Sequence, residues 1–152
     1  YSLPDRQFIR VTGGMDMGDK GFRWPFSIAV DKEGYQYVVD VINTTVKVLS
    51  PDGRLTIDIG SWGVDRGQFF RPKGVAVDSK DRIYVSDSFL GVIQVFNKDG
   101  KFLFTVGDED GKIRKFTTPV RLHIDNDDRL FVTEMFGNKI SVYRLLNHRT
   151  NE

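Results

Sequence analysis

The chain has 152 residues, of which 39% are hydrophobic, 12% aromatic and 28% charged; this is the size and composition of a single soluble folded unit rather than a disordered segment. Its 22 basic and 21 acidic residues leave a formal net charge of +1, so no global field draws it to nucleic acid or to an anionic membrane. The absence of Cys excludes disulfides, thiolate metal sites and Cys nucleophiles, and no apolar run approaches the length of a membrane span, so no insertion is expected.

In chain order, the strand-sized segments rich in Val, Ile, Tyr and Phe are Phe8–Gly13, Ser27–Asp31, Gln36–Asp40, Val46–Ser50, Leu55–Gly60, Gly74–Asp78, Arg82–Asp87, Val92–Asn97, Phe102–Gly107, Arg121–Asp125, Arg129–Glu134 and Lys139–Arg144. They recur with a fixed step. Pro25, Pro72 and Pro119 stand 47 residues apart, as do Phe22, Phe69 and Phe116, Asp31, Asp78 and Asp125, and Gly13, Gly60 and Gly107; Asp40 and Asp87 are followed at the same step by Glu134. Five columns with no insertion between copies define an internal repeat. The breaks, such as Asp31-Lys32-Glu33-Gly34 and Pro51-Asp52-Gly53, carry the Asp and Gly of hairpin turns. Four strands per period predict an all-β propeller. The second strand of each copy reads Tyr37-Val38-Val39, Tyr84-Val85 and Phe131-Val132. It is apolar on both faces, whereas a sheet with one wet face would alternate. Each sheet must therefore be covered on both sides by its neighbours.

The columns resemble the NHL repeat. The resemblance rests on Phe69-Phe70-Arg71-Pro72-Lys73-Gly74-Val75-Ala76-Val77-Asp78, on Arg82-Ile83-Tyr84-Val85-Ser86-Asp87, on Ile93-Gln94-Val95-Phe96, and on the counterparts Pro25–Asp31 and Gly137-Asn138-Lys139-Ile140. It implies a ring of six blades. It is nearly silent on activity, because such propellers serve protein partners, RNA, ligand sensing and, in one branch, a metal-dependent lyase. It also implies an extracytoplasmic (periplasmic or secreted) setting, with which the non-Met start at Tyr1 agrees if a leader has been removed; a piece of a longer chain starts the same way.

The repeats divide the chain into an orphan fourth strand at 3–13, blades at 14–60 and 61–107, a third blade at 108–146 lacking its fourth strand, and a polar tail at 147–152. The orphan and the gap are complementary. Two chains, each half of a six-bladed ring, would close on one another if Phe8, Ile9, Arg10 and Val11 completed the partner's blade beside Ile140 and Val142. A longer polypeptide that continues the array satisfies the same phase.

Chemistry is sparse. Asp125-Asn126-Asp127-Asp128 resembles part of a calcium loop but lacks the closing Glu, and its counterparts at Asp31 and Asp78 are ordinary turns. Asp40, Asp87 and Glu134 recur in every copy, which points to loop capping rather than catalysis. His123 takes the column of Ala29 and Ala76 on the channel-lining strand and is the candidate channel ligand; with His148 as the only other histidine, no catalytic set, metal or cofactor is expected. The loops entering each blade share a face with those joining second to third strands, and this face gathers Met15, Met17, Ile42, Trp62, Phe89, Leu90, Met135 and Phe136. Loops so apolar suit a protein partner. The recurrence of Ile42, Phe89 and Phe136 equally fits packing against adjacent blades. Lys112, Arg114 and Lys115 beside Phe136 are the nearest approach to a nucleic-acid patch, countered by Asp108, Glu109 and Asp110. The expected function is therefore non-enzymatic protein binding on the loop face. A channel enzyme or small-ligand sensor using His123 is the alternative, and RNA binding comes third.

Overall fold

A computed structural model describes residues 7–13, 21–107 and 112–145. Among these, eleven strands form: β1 (Pro25–Val30), β2 (Gln36–Asp40), β3 (Thr45–Leu49), β4 (Leu55–Ile59), β5 (Pro72–Val77), β6 (Ile83–Asp87), β7 (Val92–Phe96), β8 (Phe102–Thr105), β9 (Pro119–Ile124), β10 (Arg129–Glu134) and β11 (Lys139–Arg144). They build three antiparallel meanders, β1-β2-β3-β4, β5-β6-β7-β8 and β9-β10-β11.

The first strand of each sheet begins at its Pro, two residues earlier than the apolar pattern predicts. Pro lacks an N–H and suits the first position of a strand. A bulge follows it, between Pro25 and Ser27 and between Pro72 and Val75. An extra residue there breaks the two-residue period and hides the strand start from the sequence. The fourth strands stop just before the glycine column. Gly60 adopts φ 80, and a Cβ on it would lie 2.3 Å from the Phe69 ring; Phe22 stands against Gly13 in the same way, at 2.4 Å. Only Gly fits a position that must be left-handed and also abut an aromatic ring.

Phe8–Gly13, expected as a strand, pairs with none of the sheets, and Phe8, Ile9 and Val11 are exposed. Gly53 faces Arg10 and Thr12, as Gly100, one period on, faces Ile57 and Ile59. The Arg10 Nη2 donates to the Pro51 carbonyl at 2.6 Å.

The sheets stack face to face. Tyr37, Val39, Val46 and Val48 of the first sheet join Phe69, Val75, Ile83, Val85 and Phe96 of the second in one apolar cluster. Ala76, Tyr84, Ile93 and Val95 of the second join Phe116, Leu122, Leu130 and Val132 of the third in another. Two faces are left over. On the first sheet, Ile28 and Val30 are exposed although their counterparts Val75 and Val77 lie at the first seam. On the third, Ile140 and Val142 are exposed although their counterparts Val46, Val48, Ile93 and Val95 are buried. A cavity of about 330 Å³ bordered by Thr12, Phe22, Ile28, Val38 and Leu49 occupies the space that a preceding sheet would fill, since Ile59, Phe69, Val75, Val85 and Phe96 are the same columns in the first seam.

Polar groups hold the loops. Asp31 Oδ1 accepts the N–H groups of Glu33 and Tyr35, both at 2.9 Å; Asp78 and Asp125 repeat the turn. Lys47 is buried at mid-strand and its ammonium reaches Asp58 at 3.2 Å. Asp87 is fully buried and accepts four backbone N–H groups, from Phe70 at 2.7 Å, Arg71 at 2.9 Å, Phe89 at 3.0 Å and Leu90 at 2.9 Å. Asp40 caps Arg23 and Trp24 at 2.8 and 2.9 Å. Glu134 accepts the Thr117 N–H at 2.7 Å and the Ser141 hydroxyl at 2.6 Å.

Replacing Asp87 by Ala leaves these N–H groups without acceptors and is expected to cost about 3 kcal/mol or more, read as a fall in the urea midpoint with little change in slope. Burial works to raise the Glu134 pKa, but the Ser141 hydroxyl, the Thr117 N–H and the Lys139 ammonium outweigh it and hold the carboxyl below its usual 4.5. A carboxyl whose pKa is lower folded than unfolded contributes fully above the unfolded value and loses that contribution as pH falls through the folded one. Stability is therefore expected to decline from about pH 5 downward, and to decline less steeply in Glu134→Gln.

Candidate functional site

The carboxylate at the end of each second strand organises one face of the stack. It caps the connection that enters its sheet and, for Asp40 and Asp87, the following loop as well. The two loops are also tied directly, through Val41 N to Trp24 O at 3.1 Å, Ser88 N to Arg71 O at 3.0 Å and Met135 N to Thr118 O at 3.0 Å. The backbone polar groups are thus used inwardly, which leaves the side chains of the tight loops to point out.

Ile42, Phe89 and Phe136 do so in each copy. They are 51%, 59% and 71% exposed. Around Phe89 the rings form a continuous ridge. The Phe89 and Phe70 centroids are 4.2 Å apart and those of Phe70 and Trp62 6.3 Å, and the Arg71 guanidinium stands 5.8 Å from the Phe89 centroid. Trp62 is 69% exposed. Leu90 is half-buried at the foot of the ridge and Met135 is exposed. Met15 and Met17 lie outside the described residues, as does His148. Trp24, exposed on the same face, was not foreseen: its column reads Trp24, Arg71, Thr118, so the repeat gives no signal, and only the geometry of the entering loop brings it forward.

The charges on this face are mostly basic among the described residues. Arg23, Arg66, Arg71, Lys112 and Lys115 are exposed against Asp65, while the three capping carboxylates are buried and engaged. The Lys115 ammonium donates to the Leu90 carbonyl at 3.0 Å. Asp108, Glu109 and Asp110 fall outside the described residues.

His123 lies on the first strand of its sheet and is exposed. It pairs with Phe131 in the β9–β10 ladder, and the two rings are 6.1 Å apart on the open face of the third sheet. Its counterpart Ala76 is buried between the second and third sheets. The column therefore faces the next sheet, and a side chain there belongs to a seam before it belongs to a channel. Among the described residues no group of three or more His, Cys, Asp or Glu is placed to hold a metal ion. The acidic turn at Asp125 is closed by Arg129, whose backbone N–H and side chain hold the Asp125 pKa below the usual range.

No protein-family model matches the chain, and no curated protein matches its sequence. Solved structures do resemble its fold. The hydrazine synthase of Kuenenia stuttgartiensis superposes with a TM-score of 0.62 at 15% identity, over 81% of this chain and 33% of its own. A gluconolactonase from Xanthomonas campestris gives 0.60 at 19%, over 85% and 46%, and virginiamycin B lyase from Staphylococcus aureus 0.56 at 19%, over 82% and 42%. The chain is thus similar to β-propeller proteins and spans less than half the length of each of these three. At such identities the likeness is one of fold, and its members include enzymes of unrelated chemistry.

Trp24 and Trp62 are the only tryptophans, and both stand on the exposed loop face. Their emission is expected to be that of water-exposed indole and to be quenched readily by acrylamide. Blue-shifted, protected emission would mean that this face is covered in solution.

Proposed function

We propose that the chain is part of an NHL-type six-bladed propeller that binds a protein partner on its loop face, through the Trp62–Phe70–Phe89 ridge and its basic rim. The observation that carries this reading is the ridge itself. Three aromatic rings in a row, with Phe70 between Trp62 and Phe89, are carried by loops whose backbone is already capped, which is the make-up of an interface centre. Arg71 on the Phe89 face adds the residue type most often paired with such rings. The rim suits a partner whose contacting surface is acidic. The location is taken to be extracytoplasmic, as the NHL resemblance implies.

The two open end faces belong to the same reading. One is the leading face of a blade and the other a trailing face, with the columns that meet at both internal seams. A second copy of this chain, seated twice around a two-fold axis, would bring the two kinds of face together.

With a partner in hand, Trp62→Ala and Phe89→Ala are each expected to weaken capture at least about tenfold while leaving the urea midpoint nearly unchanged, because both side chains are mostly exposed. Lys101→Ala, on a turn of the opposite face, is expected to have no effect. Equal capture by all three would overturn the loop-face reading. Light scattering on the chain tests closure separately: twice the chain mass supports two identical halves, and a monomeric mass rules that closure out.

A further inference from the structure

The inner strands β1, β5 and β9 lie side by side around the axis. Their sequences, Pro25–Val30, Pro72–Val77 and Pro119–Ile124, contain no acidic residue but hold Lys73, Arg121 and His123. Lys73 sits in the bulge after Pro72, and its ammonium stands 4.2 Å over the Phe26 ring of the first sheet. Arg121 occupies the column of Ser27 and Gly74. At Gly74 the sheets come so close that a Cβ would lie 2.9 Å from the Leu122 nitrogen and 3.1 Å from the Arg121 carbonyl carbon. The backbones carrying Lys73 and Arg121 therefore abut.

Arg121 itself is exposed and borders the cavity of about 330 Å³ that Phe26, Ser27 and Ile28 also border. The Phe26 ring is the common element: the Lys73 ammonium stands over it, and the cavity that Arg121 borders is lined by it. Neither cation forms an ion pair with a described residue, whereas Lys47, Arg54, Arg82, Lys98 and Arg129 all do. Arg71 adds a third positive charge next to Lys73. Burial first, and the Arg71 charge second, lower the Lys73 pKa.

We propose that Lys73 and Arg121 form an oxyanion-binding site at the axial edge of the second and third sheets, which takes a small carboxylate or phosphate against the Phe26 ring. Arg121 supplies the planar fork that matches two oxygens, and Lys73 a movable point charge. Phe26 and Ile28 provide an apolar wall for the body of the ligand. Phe26 and Arg121 belong to the inner strands β1 and β9, so the site lies on the axial side of Val38 and Leu49, which β2 and β3 carry. It shares only the Arg71 charge with the aromatic ridge and does not depend on a partner binding there.

The test is titration of the full chain with inorganic phosphate and, separately, with succinate, followed by amide chemical shifts. Saturable shifts are expected at Lys73, Gly74, Arg121 and Leu122. Lys73→Met and Arg121→Gln should each weaken binding by about tenfold, the scale of one charge-assisted contact, and Lys101→Ala, on a turn of the opposite face, should not. Arg121→Lys, which keeps the charge and loses the fork, should fall between. Tighter binding of phosphate assigns the ligand to phosphate esters, and tighter binding of succinate to carboxylic acids. Shifts that do not saturate, that spread over all surface lysines, or that survive Arg121→Gln would overturn the proposal. Thermal midpoints of the variants equal to that of the parent chain show that a loss reflects binding and not unfolding.

Discussion

A sheet that is apolar on both faces cannot stand alone in water, and everything else in this structure follows from that. Tyr37, Val39, Val46 and Val48 on one sheet are buried only because Val75, Val85 and Phe96 of the next lie against them. Burying a side chain of this size stabilises by about 1.5–3 kcal/mol, so each seam outweighs any single polar contact in the molecule. The surface ion pairs between turns, such as Lys98 with Glu33, contribute at most about 1 kcal/mol each. The same requirement leaves Ile28 and Val30 at one end, and Ile140 and Val142 at the other, as apolar faces exposed among the described residues.

The seams also decide what a given column can hold. The positions nearest the axis are the tightest, and two copies fill them with Ser27 or Gly74 and with Ala29 or Ala76. The third copy carries Arg121 and His123 there, and both are exposed.

Much of this was legible in the sequence, because the repeat converts one observation into three. The 47-residue step located the strands, the turn aspartates and the capping carboxylates, and the doubled apolar pattern of the second strand required stacked sheets. Two kinds of feature were not legible. Bulges near the prolines shift the strand starts, and the two-residue period does not reveal them. Residues that break the repeat, such as Trp24 and Arg121, acquire their meaning only from what lies opposite them. Arg121 did carry a signal, since Ser, Gly and Arg in one column is an abrupt change. What it faced lay in other copies of the repeat. The aromatic ridge falls between the two cases. Phe89 recurs and was visible, but its contact with Phe70 and Trp62 depends on how the entering loop folds back over the sheet.

The capping carboxylates have a further implication. Asp87 holds two loops through four N–H groups of the main chain, and main-chain donors are present whatever side chain a residue bears. The architecture of the loop face is therefore insulated from its chemistry. Substitutions at Ile42, Phe89 or Phe136 alter what the surface presents without removing anything that positions it. Such a face can diverge rapidly between related chains, or be diversified deliberately, while the underlying stack keeps its shape.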